Sequence, residues 1–236
     1  LQALGKASDL VAVVIIETLG DMAHIKAVPH LLQKLETSSQ PLQNKIVQAL
    51  VSILGNNAFS LLNSAEQKRL YPALLAALED EDPDVQDAAV TGLNTFGGEE
   101  ASSSIFKVLL RLDEDREPDR FEALISTLQN LGLSQELRSA VLAENPEVSG
   151  LAIRVLNGLD SAESREILRS TFWSRDRDEQ RAITKSLSRM PDQSSIDFFF
   201  QVLTTHEDGS ILKNGISFLG QTMGVQEESV TILGFL

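Results

Sequence analysis

Residues 70–97 read LYPALLAALEDEDPDVQDAAVTGLNTFG, and this stretch decides the fold. Leucines recur at three- and four-residue steps in its first half, and the second half repeats the spacing with Val85, Ala88, Ala89, Leu93 and Phe96. Such spacing places apolar side chains on one face of a helix. The stretch therefore predicts two amphipathic helices, and each needs a neighbour to cover its apolar face.

An acidic turn separates the two predicted helices. Asp82 suits an N-cap, Pro83 the first helical position and Gly97 the stop, while Pro72 is expected near the start of the first helix. The segment is thus a helical hairpin.

Similar hairpins recur along the chain. Seven segments close with an apolar residue before a stop: Leu19-Gly20, Leu54-Gly55, Phe96-Gly97, Leu131-Gly132, Leu159-Asp160, Met190-Pro191 and Leu219-Gly220. Their spacing, about 28 to 42 residues, is typical of a solenoid. Prolines lie at one fixed distance before four of the closures, at Pro41, Pro83, Pro118 and Pro146. They predict where the second helices begin.

The phrases AVPHLLQKLE and DPDVQDAAVTGLNTFG resemble HEAT repeats, particularly the short bacterial kind also found in phycobilin lyase subunits. The resemblance covers residues 1–236 as one array, with clearer repeats over 20–132 and more divergent ones over 133–236. It implies an all-α, right-handed α-solenoid of six to seven hairpins. Many members carry Val-Arg where this chain has Val85-Gln86. It is therefore an open question whether this chain forms the stacked Asp/Arg ladder of those members. Leu1–Leu4 and Glu227–Leu236 read as incomplete repeats, so we expect a fragment of a longer chain.

Composition argues against several classes of function. The net charge of −14 disfavours nucleic acid and anionic lipid, and no apolar run is long enough to cross a membrane. There is no cysteine, and His24, His30 and His206 lack ligand spacing. Asp80, Asp82 and Asp84 alternate as in a calcium loop, but Val85 and Thr91 occupy the positions that need Gly and Glu. We expect no metal, no cofactor and no catalytic residue.

HEAT-like arrays present their second helices on the concave face, which the resemblance implies is the binding face. Helical register then predicts which side chains line it, among them Asn94, Gln129, Arg154 and Asn157. A basic ridge follows at four-residue steps, namely Arg177, Arg181, Lys185 and Arg189. The ridge is either a solvated helix face balanced by nearby acids or a docking stripe for an acidic protein or peptide.

Two aromatic clusters stand out, Phe172-Trp173 and Phe198-Phe199-Phe200. We expect most of these rings in the core between repeats, although an exposed anchor for a partner helix is an alternative.

These patterns together predict a non-enzymatic scaffold for protein–protein interaction, with a cytoplasmic location favoured. Two alternatives stay open: an accessory or regulatory subunit of an enzyme, with phycobilin lyase as the precedent, and a structural spacer in a multidomain protein. We expect the partner to be a protein or peptide, and we expect neither nucleic-acid binding nor membrane insertion.

Overall fold

A computed structural model describes residues 9–59, 62–190 and 192–222. Within these ranges all regular structure is helical and no strand occurs. The chain divides into two compact units, with the boundary between Leu131 and Gly132. The predicted all-α class is confirmed, and helical hairpins stack in each unit as in an α-solenoid. The single array over residues 1–236 stays a prediction, and the two incomplete end repeats lie outside the described residues.

Seven α-helices belong to the described part of the N-terminal unit. They are α1 (Asp9–Asp21), α2 (Val28–Leu35), α3 (Gln40–Ala58), α4 (Ser64–Ala77), α5 (Pro83–Phe96), α6 (Glu99–Leu109) and α7 (Pro118–Leu131). Helices α2–α3, α4–α5 and α6–α7 form hairpins, and α1 occupies the place of a second helix.

The described part of the C-terminal unit contains six α-helices. They are α8 (Gln135–Val141), α9 (Pro146–Leu156), α10 (Ala162–Thr171), α11 (Arg177–Ser188), α12 (Ile196–Thr205) and α13 (Gly209–Thr222). Short 3-10 helices at Phe172–Ser174 and Gln193–Ser195 lie within this unit, and a third at Ile25–Ala27 precedes α2.

The second helices begin where the prolines predict. Pro41, Pro83, Pro118 and Pro146 lie in the first turns of α3, α5, α7 and α9. At α5 the Asp82 carboxylate accepts a hydrogen bond from the Asp84 backbone N–H at 2.9 Å. This N–H lies in the first turn, where the helix itself supplies no acceptor. Gly97 ends the helix at a φ of 71°, a left-handed conformation that favours glycine.

Two predictions about helix ends were wrong. Pro72 lies inside α4 rather than near its start, because a capping box between Asn63 and Glu66 begins the helix earlier. Gly20 lies within α1 and Gly220 within α13, so neither is a stop. A Cβ on Gly20 would stand 3.1 Å from the Ala49 Cα, so this glycine allows close helix packing instead.

Helix packing is uneven between the two sides of the hairpins. In the N-terminal unit α1 packs on α3 and α3 on α5, much more extensively than the first helix α2 packs on α4. In the C-terminal unit α11 packs closely on α13. The second helices therefore form the tighter layer of each unit.

Aromatic rings fill much of the C-terminal core. Phe172 contacts Phe198 edge-on with centroids 5.2 Å apart, and Phe199 stacks on Phe218 at 4.3 Å. Phe172, Phe199 and Phe218 are fully buried, as expected for core between repeats. Trp173 differs, because 43% of it is exposed.

Candidate interaction surface

The four residues of the basic ridge lie on or just after α11, and all four are exposed. Asp176 caps this helix, accepting hydrogen bonds from the backbone N–H groups of Asp178 and Glu179 at 2.9 Å each. The ridge therefore belongs to a well-formed helix, but its members differ in their partners.

Arg181 is engaged within the chain. Its Nη2 donates to Asp208 Oδ2 at 2.6 Å, and its Nη1 donates to Asp178 Oδ1 at 2.9 Å. Asp208 is only 7% exposed, and its Oδ1 accepts from the backbone N–H groups of Ser210 and Ile211 at the start of α13. The hydrogen bond from Arg181 is the main cause that lowers the pKa of Asp208 from 3.8 to about 2, and the backbone donors add to it. Arg181 thus joins two adjacent repeats.

Lys185 and Arg189 are different, because neither forms an ion pair with any residue that the structure describes. At four-residue spacing they share one side of α11 and its C-terminal end. We call these two residues the Lys185/Arg189 patch.

Arg154 and Asn157 lie on the preceding second helix, α9, and its C-cap. Both are half-buried. The Asn157 carbonyl oxygen accepts a hydrogen bond from the Ser186 hydroxyl at 2.8 Å, which ties α9 to α11. The Asn157 side-chain Oδ1 is buried and has no hydrogen-bond donor among the described residues. The C-terminal unit thus has polar groups along adjacent second helices.

The other two predicted residues belong to the N-terminal unit. Asn94 is exposed and lines a cleft of about 280 Å³ between α5 and α7, whereas Gln129 is half-buried on α7. The cleft lining combines the Asp87–Arg120 ion pair with Thr91 and Leu124. Its mixture of polar and apolar groups does not indicate one ligand chemistry.

The register argument misplaced some positions of the predicted face. The same register also assigns Ser188 and Ala49 to this face, but both are buried, and Ala49 packs against Gly20 of α1. The face is therefore narrower than the register predicts.

A polar ladder between repeats is present in the N-terminal unit, although Gln86 replaces the usual arginine. Arg120 donates to Asp87 Oδ1 at 2.6 Å, to Glu117 Oε2 at 3.1 Å and to Gln86 Oε1. Asn44 on α3 donates forward instead, to Asp80 in the turn before α5. Burial acts to lower the pKa of the Arg120 guanidinium, but the hydrogen bonds to Asp87 and Glu117 outweigh it and raise that pKa. Polar side chains thus join neighbouring repeats in this unit.

Two features are absent from the described residues, namely a metal-binding cluster and a membrane-spanning helix. Within them no three His, Cys, Asp or Glu side chains come together as a metal site would require. Across the same residues, no helix combines the length and the apolar character needed to cross a membrane.

Comparison with known proteins agrees with the repeat architecture. The family model described as HEAT repeat matches residues 70–97, which confirms the predicted resemblance for that hairpin. HEAT repeats commonly mediate protein–protein interaction. None of the curated proteins compared with the chain matches it.

Two crystal structures of engineered proteins match the chain. The first has 18% sequence identity and a TM-score of 0.46, with 94% of this chain and 67% of the other covered. The second has 20% identity and a TM-score of 0.37, with 81% of this chain and 94% of the other covered.

Sequence reasoning missed Asp208, although a signal was present. Asp208-Gly209-Ser210 places an N-cap residue before an apolar helical pattern, which predicts a helix start. Nothing local indicates that its carboxylate also receives Arg181 from the preceding hairpin.

Proposed function

We propose that the protein is a scaffold for protein–protein interaction and that the Lys185/Arg189 patch binds an acidic segment of a partner. One observation carries the proposal: two neighbouring exposed cations have no carboxylate partner in the described part of a chain with a net charge of −14. Lys185 and Arg189 lie four residues apart at the C-terminal end of α11, so both charges are accessible to the same partner segment. A carboxylate-rich segment would complement them.

Packing supports placing the site on the second helices. In each unit these helices pack more extensively on one another than the first helices do. Arg154 and Asn157 on α9 extend the polar surface beside the patch. A polar surface along adjacent second helices suits recognition of an extended segment.

The test reverses the charges of the patch and leaves Arg181 intact. We would compare captured proteins for the wild type and the double variant Lys185→Glu, Arg189→Glu in a lysate of the source organism, and map contacts by cross-linking and mass spectrometry. Arg181 stays because its reversal would place a glutamate against Asp178 and Asp208.

A matched control carries the same change in net charge at exposed lysines of the other unit, Lys26→Glu with Lys68→Glu. The proposal expects a partner that the control retains and the patch variant loses, cross-linked through an Asp- or Glu-rich segment. Equal capture by both variants would contradict it. Absence of any specific partner would favour the spacer alternative.

A further inference from the structure

Two exposed apolar side chains lie at equivalent places in adjacent repeats of the C-terminal unit. Leu142 is the C-cap residue of α8 and is 68% exposed, and Trp173 follows α10 and is 43% exposed. Each comes directly after a fully buried residue, Val141 or Phe172. We call this pair the Leu142–Trp173 edge.

Arg175 brings the two turns together. Its Nη2 donates to the Val141 carbonyl oxygen at 2.7 Å, so the residue before Leu142 is held beside the turn that carries Trp173. The Trp173 ring also contacts Phe172 edge-on, with centroids 4.8 Å apart. Because the indole rests on a buried ring, it is already ordered, and a partner loses little side-chain entropy by packing on it.

Arginines and carboxylates alternate shortly after Trp173, in the run Arg175-Asp176-Arg177-Asp178-Glu179. Arg175 and Arg177 flank Asp176 near Trp173, and neither arginine forms an ion pair with a described residue. The Asp176 carboxylate is occupied by the α11 cap. Asp178 is engaged as well, because it pairs with Arg181. Arg177 is therefore an exposed cation near Trp173 that is left to pair with a carboxylate of a partner.

We propose that the Leu142–Trp173 edge docks a partner-protein segment in which a bulky apolar side chain stands next to an Asp or Glu. The apolar side chain packs on Leu142 and Trp173, and the carboxylate pairs with Arg177. Tryptophan and arginine are frequent anchors in protein interfaces. The edge goes beyond the proposed function, because position 177 lies roughly 18 Å along α11 from position 189 at 1.5 Å per residue.

The experiment selects binders from a phage-displayed library of random 12-residue peptides on the whole chain. Trp173 is the single tryptophan, so its emission reports directly on this edge. We expect enriched peptides to pair Leu, Phe or Trp with Asp or Glu and to shift the emission to the blue, with saturation. Leu142→Ser should weaken binding about tenfold or more, and Arg177→Glu severalfold.

Leu110→Ser is the matched control, because Leu110 is an exposed leucine that caps α6 in the N-terminal unit. It should bind the peptides as the wild type does. The Lys185→Glu, Arg189→Glu variant should also bind them normally, because its loss of a partner would bear on the proposed function and not on the Leu142–Trp173 edge. Circular dichroism checks that each variant folds. We expect folding to be retained because the substituted residues are exposed.

Three outcomes would overturn the proposal. Selection could enrich no peptide, or peptides without the apolar-plus-acidic composition. Enriched peptides could bind Leu142→Ser and Leu110→Ser equally. A blue shift that depends on protein concentration without peptide, and that Leu142→Ser abolishes, would assign the edge to a second copy of the chain.

Discussion

Arg181 reaches from one hairpin to the carboxylate that starts the second helix of the next, with its Nε 3.1 Å and its Nη2 2.6 Å from Asp208 Oδ2. The other carboxylate oxygen accepts backbone hydrogen bonds at the start of α13. One ionised side chain therefore serves as an ion-pair partner and as a helix cap.

Stability should fall in acid because of Asp208. Its pKa is about 2 in the folded chain against an ordinary 3.8, so the folded state favours the ionised form. The resulting stabilisation is fully present above about pH 4 and is lost as the pH falls towards 2. Unfolding by urea between pH 2 and pH 5 should show this loss in the wild type, and Asp208→Asn should flatten it.

Asp178→Asn is the control for that experiment, since the Asp178 side chain meets the same guanidinium but is 89% exposed. Its pH profile should follow the wild type closely. A profile in Asp208→Asn as steep as that of the wild type would assign the acid sensitivity to other groups.

Gly92 and Leu74 should be energetically coupled. A Cβ on Gly92 would stand 2.6 Å from Leu74 Cδ2, and Leu74 is fully buried. Gly92→Ala should therefore cost about 1–3 kcal/mol by overpacking, and Leu74→Ala about 2–5 kcal/mol by leaving a cavity. Chemical denaturation should show that the double variant loses less stability than the sum of the losses in the two single variants. Simple additivity would show that the helices separate freely here.

Phe172→Ala should destabilise the C-terminal unit by about 3–5 kcal/mol, because the ring is fully buried. It should also shift the emission of folded Trp173 to the red, since the indole loses its packed neighbour. Phe59→Ala removes a buried ring from the N-terminal unit and is the control. It should destabilise without changing the emission of the folded protein.

Lys185→Glu with Arg189→Glu should leave the protein folded. Both side chains are exposed, but they lie at the C-terminal end of α11, where the helix dipole disfavours negative charge. A loss of about 1–2 kcal/mol at low salt, shrinking as salt screens the charges, is expected in thermal unfolding. A larger loss that salt does not reduce would indicate a structural role for the patch.

The helices that the sequence predicts well are those with local signals. Pro83, Asp82 and Gly97 act within one turn of their own helix, so their roles can be inferred without tertiary information. Pro72 misleads because the Asn63 cap, further back in the chain, sets the helix start. Gly20 misleads because a glycine that permits close packing looks the same in sequence as one that ends a helix.

The candidate surface is harder to predict than the helices. Helical register correctly places Lys185 and Arg189 on an exposed side, because periodicity fixes the face. Whether an exposed cation is already paired depends on the neighbouring repeat, so Arg181 looks like Lys185 until Asp208 is seen beside it. For the same reason the sequence did not reveal that Arg120 donates a hydrogen bond to Gln86 of the preceding repeat.

We call the side-chain hydrogen bonds that join one repeat to the next polar ties. Their span in the sequence affects how cooperatively each unit unfolds. Asn44 and Asp80 are 36 positions apart, Asp87 and Arg120 are 33, and Arg181 and Asp208 are 27, so each tie joins only neighbouring repeats. Loss of one tie should destabilise the two repeats that it joins, and it should affect more distant repeats only through those two. Amide hydrogen exchange should therefore change in a graded way along the chain, strongest next to the altered tie and fading with each repeat.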